Sequence, residues 1–437
     1  SGWPALLGIA VRLGIRNWIN PFLAGFSIWL VYRLAKKLTD EKTALLTGFL
    51  AATSPMFLMN SASLLSHLWS FWLTLVFIIT WFDSVDHKNI NAVPRWLSII
   101  LSGCSLGLLT LTRPLTAVAI AIPFIFHGGY LLLQGSRTQK NSAIQIGFLA
   151  GAISLLLLLW QYSLTGNALL NPYQLWWPYD KLGFGADVGL QPGGYSWIFA
   201  KMNTKFSLRV GAIDLFGWFR YSWLFLPFGV IAIIKKPMKL WLVATIFPSL
   251  VLTYTLYWIA SWLFGPRYYF EALFSLALIS ALGIRFLIGD LVPQTSRTGK
   301  SINLLRFTLP SAILLFLITC SIFLYSPIRL GGMKQLYGAS RTQIQPFQTQ
   351  TMQEITPSLI IVHRQTHWIE YATFLELSSP FLDSPYLFTF SRGPEIDGTL
   401  AQFFPNRTIW HYYPNGPLKL YSRERPEPST IPTVPMP

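Results

Sequence analysis

Apolar residues run along this chain in long blocks, separated by short polar stretches that are mostly basic. Up to residue 325 the blocks fall at 17–35, 43–58, 66–83, 96–111, 114–133, 143–162, 217–234, 239–260, 266–288 and 304–325. A helix needs about 20 predominantly apolar residues to cross a bilayer. The pattern therefore predicts about ten transmembrane helices, the second of them short. Residues 3–15 (WPALLGIAVRLGI) read as a helix too short to span.

The polar stretches assign sides. With ten passes, one set of alternate loops is 33–42, 84–95, 134–142, 235–239 and 285–306. It carries Arg33, Lys36, Lys37, Lys42, Lys88, Arg95, Arg137, Lys140, Lys235, Lys236, Lys239, Arg285, Arg297, Lys300 and Arg306. The short segments of the other set carry Arg12, Arg16, Arg113 and Arg267. Lys and Arg accumulate in cytoplasmic loops, so the first set is expected inside. The second set, the long loop 163–216 and everything after 326 are expected on the external side. The long loop is rich in aromatics and glycine and reads as an interfacial lid.

After 326 the periodicity changes. SLIIVH (358–363), YLFTF (386–390), RTIWHYY (407–413) and PLKLYSR (417–423) read as strands. HWIEYATFLEL (367–377) and GTLAQFF (398–404) read as short helices. The expectation is three parts: a helical membrane domain at 1–325, a small external α/β domain at 326–425, and a Pro-rich disordered tail at 426–437.

Composition agrees. The chain has 437 residues, 52% hydrophobic and 11% charged, where a soluble domain is about a quarter charged. Its 18 tryptophans suit membrane–water interfaces. The net charge of +16 resides mostly in the loops that set topology, so nucleic acid is not the expected partner. Cys104 and Cys320 lie inside apolar blocks and make no disulfide framework. His363 and His367 straddle a strand end and a helix start and read as surface histidines rather than a metal pair. No ligand cluster stands out, so no cofactor is evident, while a divalent metal is not excluded.

Candidate chemistry gathers at the external helix mouths. Ser66 and His67 open the third block, Thr112, Arg113 and Pro114 the fifth, and Gly265, Pro266 and Arg267 the ninth. Helix N-termini attract anions, and Arg267 and Arg113 add forked cations suited to phosphate. In SWLFGPRYYFEA (261–272), Arg267 and Glu271 stand four apart on the expected helix, beside Tyr268 and Tyr269. A carboxylate one turn deep in the membrane requires a cation. The structural readings stand alongside. Arg113 taken alone reads as an interface anchor, and His67 fits a hydrogen bond inside the bundle equally well. Asp180 and Lys181 in the long loop, taken singly, read as a solvated pair. Asp214 and Arg220 read as structural. Together the candidates suggest a pocket for an anionic lipid headgroup.

GPRYYFEALFSLALISALG resembles the late helix of bacterial GT-C class membrane glycosyltransferases, relatives of the protein O-mannosyltransferases and the lipid A aminoarabinose transferase. LLTLTRPLTAVAIAIP resembles their mid-chain helix, and SPMFLMNSASLLSHLWSFWLTL their paired early helices. SGWPALLGIAVRLG with NPFLAGFSIWLVYRLAKKL resembles the segment after the family's first external loop. FLDSPYLFTF and FPNRTIWHYY resemble the small external domain that ends some members. The resemblance implies a transferase of the bacterial inner membrane. Such an enzyme moves a sugar from a polyprenyl-phosphate-linked donor to a lipid, glycan or protein acceptor, with inversion. It implies a lipid-phosphate role for Arg267 and Arg113, lining roles for Tyr268 and Tyr269, and Glu271 orienting Arg267. The family's catalytic carboxylate sits in a first external loop that would lie upstream of Ser1, so this chain as it stands is expected to lack transfer activity. Two other classes compete: a flippase for a lipid-linked precursor, and a noncatalytic membrane subunit. Mutation of Arg267 separates them, since a subunit would still assemble.

Overall fold

The structure is a computed structural model. It describes residues 2–86, 94–289, 300–336, 339–363, 373–379, 381–414 and 419–425, except for the side chains of 176 and 300–306. Lys88, Arg297, His367, the first part of the expected helix 367–377, the start of the expected strand 417–423 and the tail 426–437 lie outside the described residues. The chain divides into two compact units, up to Gly331 and from Gly332 onward.

The first unit is helical. It begins with α1 (Gly2–Arg12), α2 (Arg16–Leu38), α3 (Glu41–Ala52) and α4 (Pro55–Ser61). Then come α5 (His67–Val85), α6 (Arg95–Thr112), α7 (Pro114–Gln134) and α8 (Arg137–Thr165). A short α9 (Tyr173–Trp176) precedes α10 (Trp197–Asp214), α11 (Leu226–Ile233), α12 (Met238–Ala244) and α13 (Ile246–Tyr254). A 3-10 segment, Arg267–Ala272, leads into α14 (Leu273–Ile288); α15 (Lys300–Cys320) runs through a π turn into α16 (Ser326–Gly331).

Among the described residues, six helices are long and apolar enough to cross a membrane, or seven if one bent pair counts as a span. The expected ten are reduced for local reasons. Block 43–58 is that bent pair: α3 and α4 meet at 60°, because Pro55 cannot donate the N–H a continuous helix requires, and Ser54 caps the new start. Block 217–234 holds Gly217 at φ +70 and only the eight-residue α11, with a proline in its first turn. Block 239–260 ends its helix at Tyr254 and turns. Block 17–35 is helical throughout, but α2 is too polar to qualify by composition.

Burial ranks the helices. The apolar windows of α5 and of Arg267–Ile288 are 78% and 83% buried, against 17% for α8. A helix apolar all round belongs in the centre, and these two are the core. Close approach is set by glycine. A Cβ on Gly229 would stand 1.9 Å from the Ile279 carbonyl oxygen, and one on Gly283 2.0 Å from that of Phe225. α11 and α14 therefore cross backbone against backbone, as small residues permit in membranes.

Ion pairs hold one end of the bundle. Lys37 pairs with Asp83, Lys239 with Asp86 at 2.5 Å, and Arg285 with Asp40 at 2.5 Å. Asp40 also caps α3, accepting from the Thr43 N–H at 3.1 Å. At the other end, the expected long loop contains a helix that the sequence reading missed. α10 occupies its second half, facing inward through Ala200, Ser207 and Gly211. Asp214, at its end, is buried and pairs with Arg329 at 3.0 Å and bonds to Tyr325.

The second unit contains a four-stranded mixed sheet in the order β2-β1-β3-β4. The strands are β1 (Ser358–Val362), β2 (Tyr386–Phe390), β3 (Thr408–Tyr412) and β4 (Leu420–Tyr421). β1 pairs in parallel with β2 and with β3, while β3 and β4 are antiparallel. Every residue of β1 is buried, which explains why its sequence is a continuous apolar run. Ile360 and Val362 pack on Phe347, Phe374 and Phe388 on one face, and Leu359 and Ile361 on Leu387 on the other. The helix expected at 398–404 is Pro394–Gln402. His363 is not a surface residue: it is buried, and its Nε2 lies 2.8 Å from Nδ1 of His411.

Candidate functional site

The turn between α6 and α7 is a single residue, Arg113, with Pro114 opening α7. So short a turn holds the arginine at the bundle end, and the side chain reaches inward rather than out to solvent. Its Nη1 donates to Glu271 Oε1 at 2.5 Å and lies 2.6 Å from His67 Nδ1; Nη2 donates to the Tyr254 hydroxyl at 3.0 Å. Thr116 bonds to the same hydroxyl at 2.7 Å. The Arg113 side chain is 11% exposed and that of Glu271 fully buried. Either charge alone would be costly at such depth, and each is tolerated because the other is there. With Arg113 donating to Nδ1, neutral His67 carries its proton on Nε2. The second oxygen of Glu271 finds no hydrogen-bond partner among the described residues.

This network corrects the expected pairing. Arg267–Ala272 is a 3-10 helix, in which residues three apart align, so Arg267 and Glu271 do not share a face. Glu271 pairs with Arg113, the arginine that taken alone read as an anchor. Arg267 forms no ion pair among the described residues. Its guanidinium lies 5.4 Å from the centre of the Tyr268 ring. Tyr268 in turn stacks on Tyr254, centres 4.9 Å apart and planes within 2°. Tyr269 turns inward, buried, edge-on to Phe247 at 5.9 Å. The neutralised ion pair is thus joined through the Tyr254 hydroxyl to two stacked tyrosines, the second of which bears the partly exposed Arg267 against its ring.

The sequence reading missed Tyr254 and Thr116. Tyr254 ends an apolar block, where an aromatic reads as an interface anchor, and only the fold brings it beside Arg113. The loop candidates separate. Asp180 accepts from Trp258 Nε1 at 2.9 Å, and Lys181 bonds to Asp187 instead of Asp180. The loop is tied to the turn after α13: Tyr195 donates to the Thr255 carbonyl at 3.0 Å, and Gln191 and Asn203 both donate to that of Trp258. Tyr257, in the same turn, stands edge-on to Tyr268 at 5.5 Å. Asp180 thereby lies on the loop beside the tyrosine stack. No group of three or more His, Cys, Asp or Glu that could hold a metal occurs among the described residues.

Comparison with known proteins bears on this arrangement. Residues 17–161 match the family model described as dolichyl-phosphate-mannose-protein mannosyltransferase. Among curated proteins none matches. Among solved structures, ArnT from Cupriavidus metallidurans bound to undecaprenyl phosphate superposes with a TM-score of 0.56. It is 10% identical, over 92% of this chain and 77% of that one. The apo form of the same protein gives 0.55 at 11% identity, over 89% and 74%. An oligosaccharyltransferase from Archaeoglobus fulgidus gives 0.47 at 13% identity, over 86% and 54%. The resemblance to GT-C class glycosyltransferases read from the motifs is thus met by the family model over the early helices and by the fold over most of the chain. The protein is a multi-pass membrane protein with an ArnT-like fold.

Proposed function

We propose that this protein handles a polyprenyl-phosphate-linked sugar at the external face of a bacterial inner membrane, as a glycosyltransferase that transfers the sugar with inversion to a lipid, glycan or protein acceptor. The observation that carries the reading is Arg267: an arginine seated on an aromatic ring, at the membrane end opposite the ion-paired basic loops, with no carboxylate partner among the described residues. The solved relative holds undecaprenyl phosphate, and the family model is named for a lipid-phosphate-sugar transferase; both support a lipid phosphate as its ligand.

In this reading the acceptor hydroxyl attacks the anomeric carbon, the bond from that carbon to the phosphate oxygen breaks, and the electron pair leaves with the lipid phosphate. Arg267 meets the charge that grows there, a cation held against the Tyr268 ring. Arg113 does not share that task. Its Nη1 and Nη2 are engaged by His67, Glu271 and Tyr254, so it positions the tyrosine stack on which Arg267 rests. Glu271 is excluded as the base for the acceptor because burial and Arg113 withhold it from solvent. The base is assigned to no residue described here. Asp180 stands on the loop beside the stack, bonded to Trp258.

The test is equilibrium binding of undecaprenyl phosphate to the full chain in neutral-lipid nanodiscs. A charged hydrogen bond contributes about 1.5–3 kcal/mol, so Arg267→Gln is expected to weaken binding by roughly ten- to a hundredfold with an unchanged melting temperature. Equal binding by the variant overturns the reading.

A further inference from the structure

α10 carries three different faces. Ala200, Ser207 and Gly211 face inward. Ile198, Met202 and Phe206, spaced four apart, are 69%, 58% and 47% exposed. Between them and the protein runs a ridge of Lys201, Lys205 and Arg209, also spaced four apart and all exposed. None of the three forms an ion pair among the described residues. On its protein side the ridge borders a cavity of about 600 Å³. That cavity is walled by Leu208, Trp223, Val251 and Leu252, and its exposed lining is almost wholly apolar.

Three like charges four apart on a helix repel one another, and among the described residues no carboxylate pairs with them. Apolar surface flanks them on both sides. A helix with an exposed apolar face beside basic residues lies in the plane of the membrane interface. There its basic side chains stand at the level of headgroup phosphates, and a cavity beside them whose exposed lining is almost wholly apolar suits an acyl chain and not a sugar.

We propose that α10 and the cavity under it form a binding site for an anionic phospholipid of the bilayer, with the phosphate on Lys201, Lys205 and Arg209 and one acyl chain between Leu208, Trp223 and Leu252. The site is separate from Arg267 and goes beyond the proposed transfer reaction. Because α10 also supplies Asn203, which bonds to the Trp258 turn beside the tyrosine stack, a lipid held there would steady the loop over that stack.

The experiment is native mass spectrometry of the delipidated full chain, titrated separately with phosphatidylglycerol and phosphatidylcholine. The wild type is expected to hold phosphatidylglycerol at least tenfold more tightly. The triple variant Lys201→Gln, Lys205→Gln, Arg209→Gln is expected to lose that preference. Leu252→Trp, which fills the cavity and leaves the charges in place, is expected to weaken phosphatidylglycerol severalfold. Arg267→Gln should leave the preference intact, and undecaprenyl phosphate should not displace the phospholipid. Equal affinity for the two lipids, a preference that survives in the triple variant, or undiminished phosphatidylglycerol binding by Leu252→Trp overturns the proposal. If Arg267→Gln abolishes the preference, or undecaprenyl phosphate displaces the lipid, the anion belongs to the Arg267 site; this inference then fails while the proposed function stands.

Discussion

Arg113 and Glu271, 158 positions apart in sequence, meet at 2.5 Å in the interior of the helical bundle. One closes a one-residue turn; the other lies in the tight 3-10 entry to the most buried helix. Their pairing fixes the mouths of α7 and α14 relative to each other, and the tyrosine stack is built upon it.

Breaking that pair should be costlier than removing it. A lone buried charge costs about 3–5 kcal/mol, whereas an apolar replacement of both partners is often near neutral. Arg113→Met and Glu271→Met are each expected to lower the melting temperature of the detergent-solubilised protein markedly, and the double variant to recover most of the loss. Additive losses in the double variant would show that the two residues act separately.

Tyr268 should matter through its ring. The Arg267 guanidinium above it gains about 0.5–1 kcal/mol from the aromatic face at a partly exposed site. Tyr268→Phe is expected to bind undecaprenyl phosphate as the wild type does, and Tyr268→Leu about two- to fivefold more weakly. A loss in the Phe variant equal to that in the Leu variant would place the effect in the hydroxyl instead.

The crossing of α11 and α14 makes a stability prediction with an internal control. A methyl on Gly283 would collide with the Phe225 carbonyl, whereas Gly147 on α8 has nothing within 4 Å of an added Cβ. Overpacking costs about 1–3 kcal/mol. Gly283→Ala should lower the melting temperature, and Gly147→Ala should leave it unchanged or raise it.

The second unit should be acid-sensitive. Burial, and then the charge of His411, hold the His363 imidazole down at about 4, and burial lowers His411. Asp397 opposes both shifts and Glu424 that of His411, without cancelling them. A base whose pKa is depressed on folding takes up its proton more readily when unfolded. Its contribution is complete above the unfolded value near 6.5 and is lost as pH falls from there toward 4. The slope is at most about 1.4 kcal/mol per pH unit for each proton. Hydrogen exchange of the β1 and β3 amides in the full chain, corrected for intrinsic rates, should quicken between pH 6.5 and 4.5. His363→Phe, which keeps the ring against Tyr413 at 4.2 Å in the parent, should flatten that dependence.

Local chemistry made much of this legible. Six of the ten long apolar blocks become spans among the described residues, because a continuous apolar face must be buried in lipid or protein wherever it lies. The strands at 358, 386 and 408 stood out by their β-branched and aromatic runs. Pro55 and Gly217 are equally visible in the sequence, yet hydropathy alone counts the blocks at 43 and 217 as spans, since it does not register a missing N–H or a positive φ. α10 is not legible as a block because its apolar and basic positions fall on different faces, so it has no long apolar run.

The sequence by itself determined a multi-pass membrane protein, its basic loops, the sheet unit and a set of polar residues at helix mouths. These follow from solvent preference and hydrogen-bonding rules that act residue by residue. Which of those polar residues meet was decided by the tertiary structure alone. Arg113 faces Glu271 across the bundle, Tyr254 stacks on Tyr268, and Arg267 forms no ion pair among the described residues. Those distances depend on how α5, α7, α13 and α14 pack, and packing is a property of pairs of surfaces that no single stretch of sequence contains.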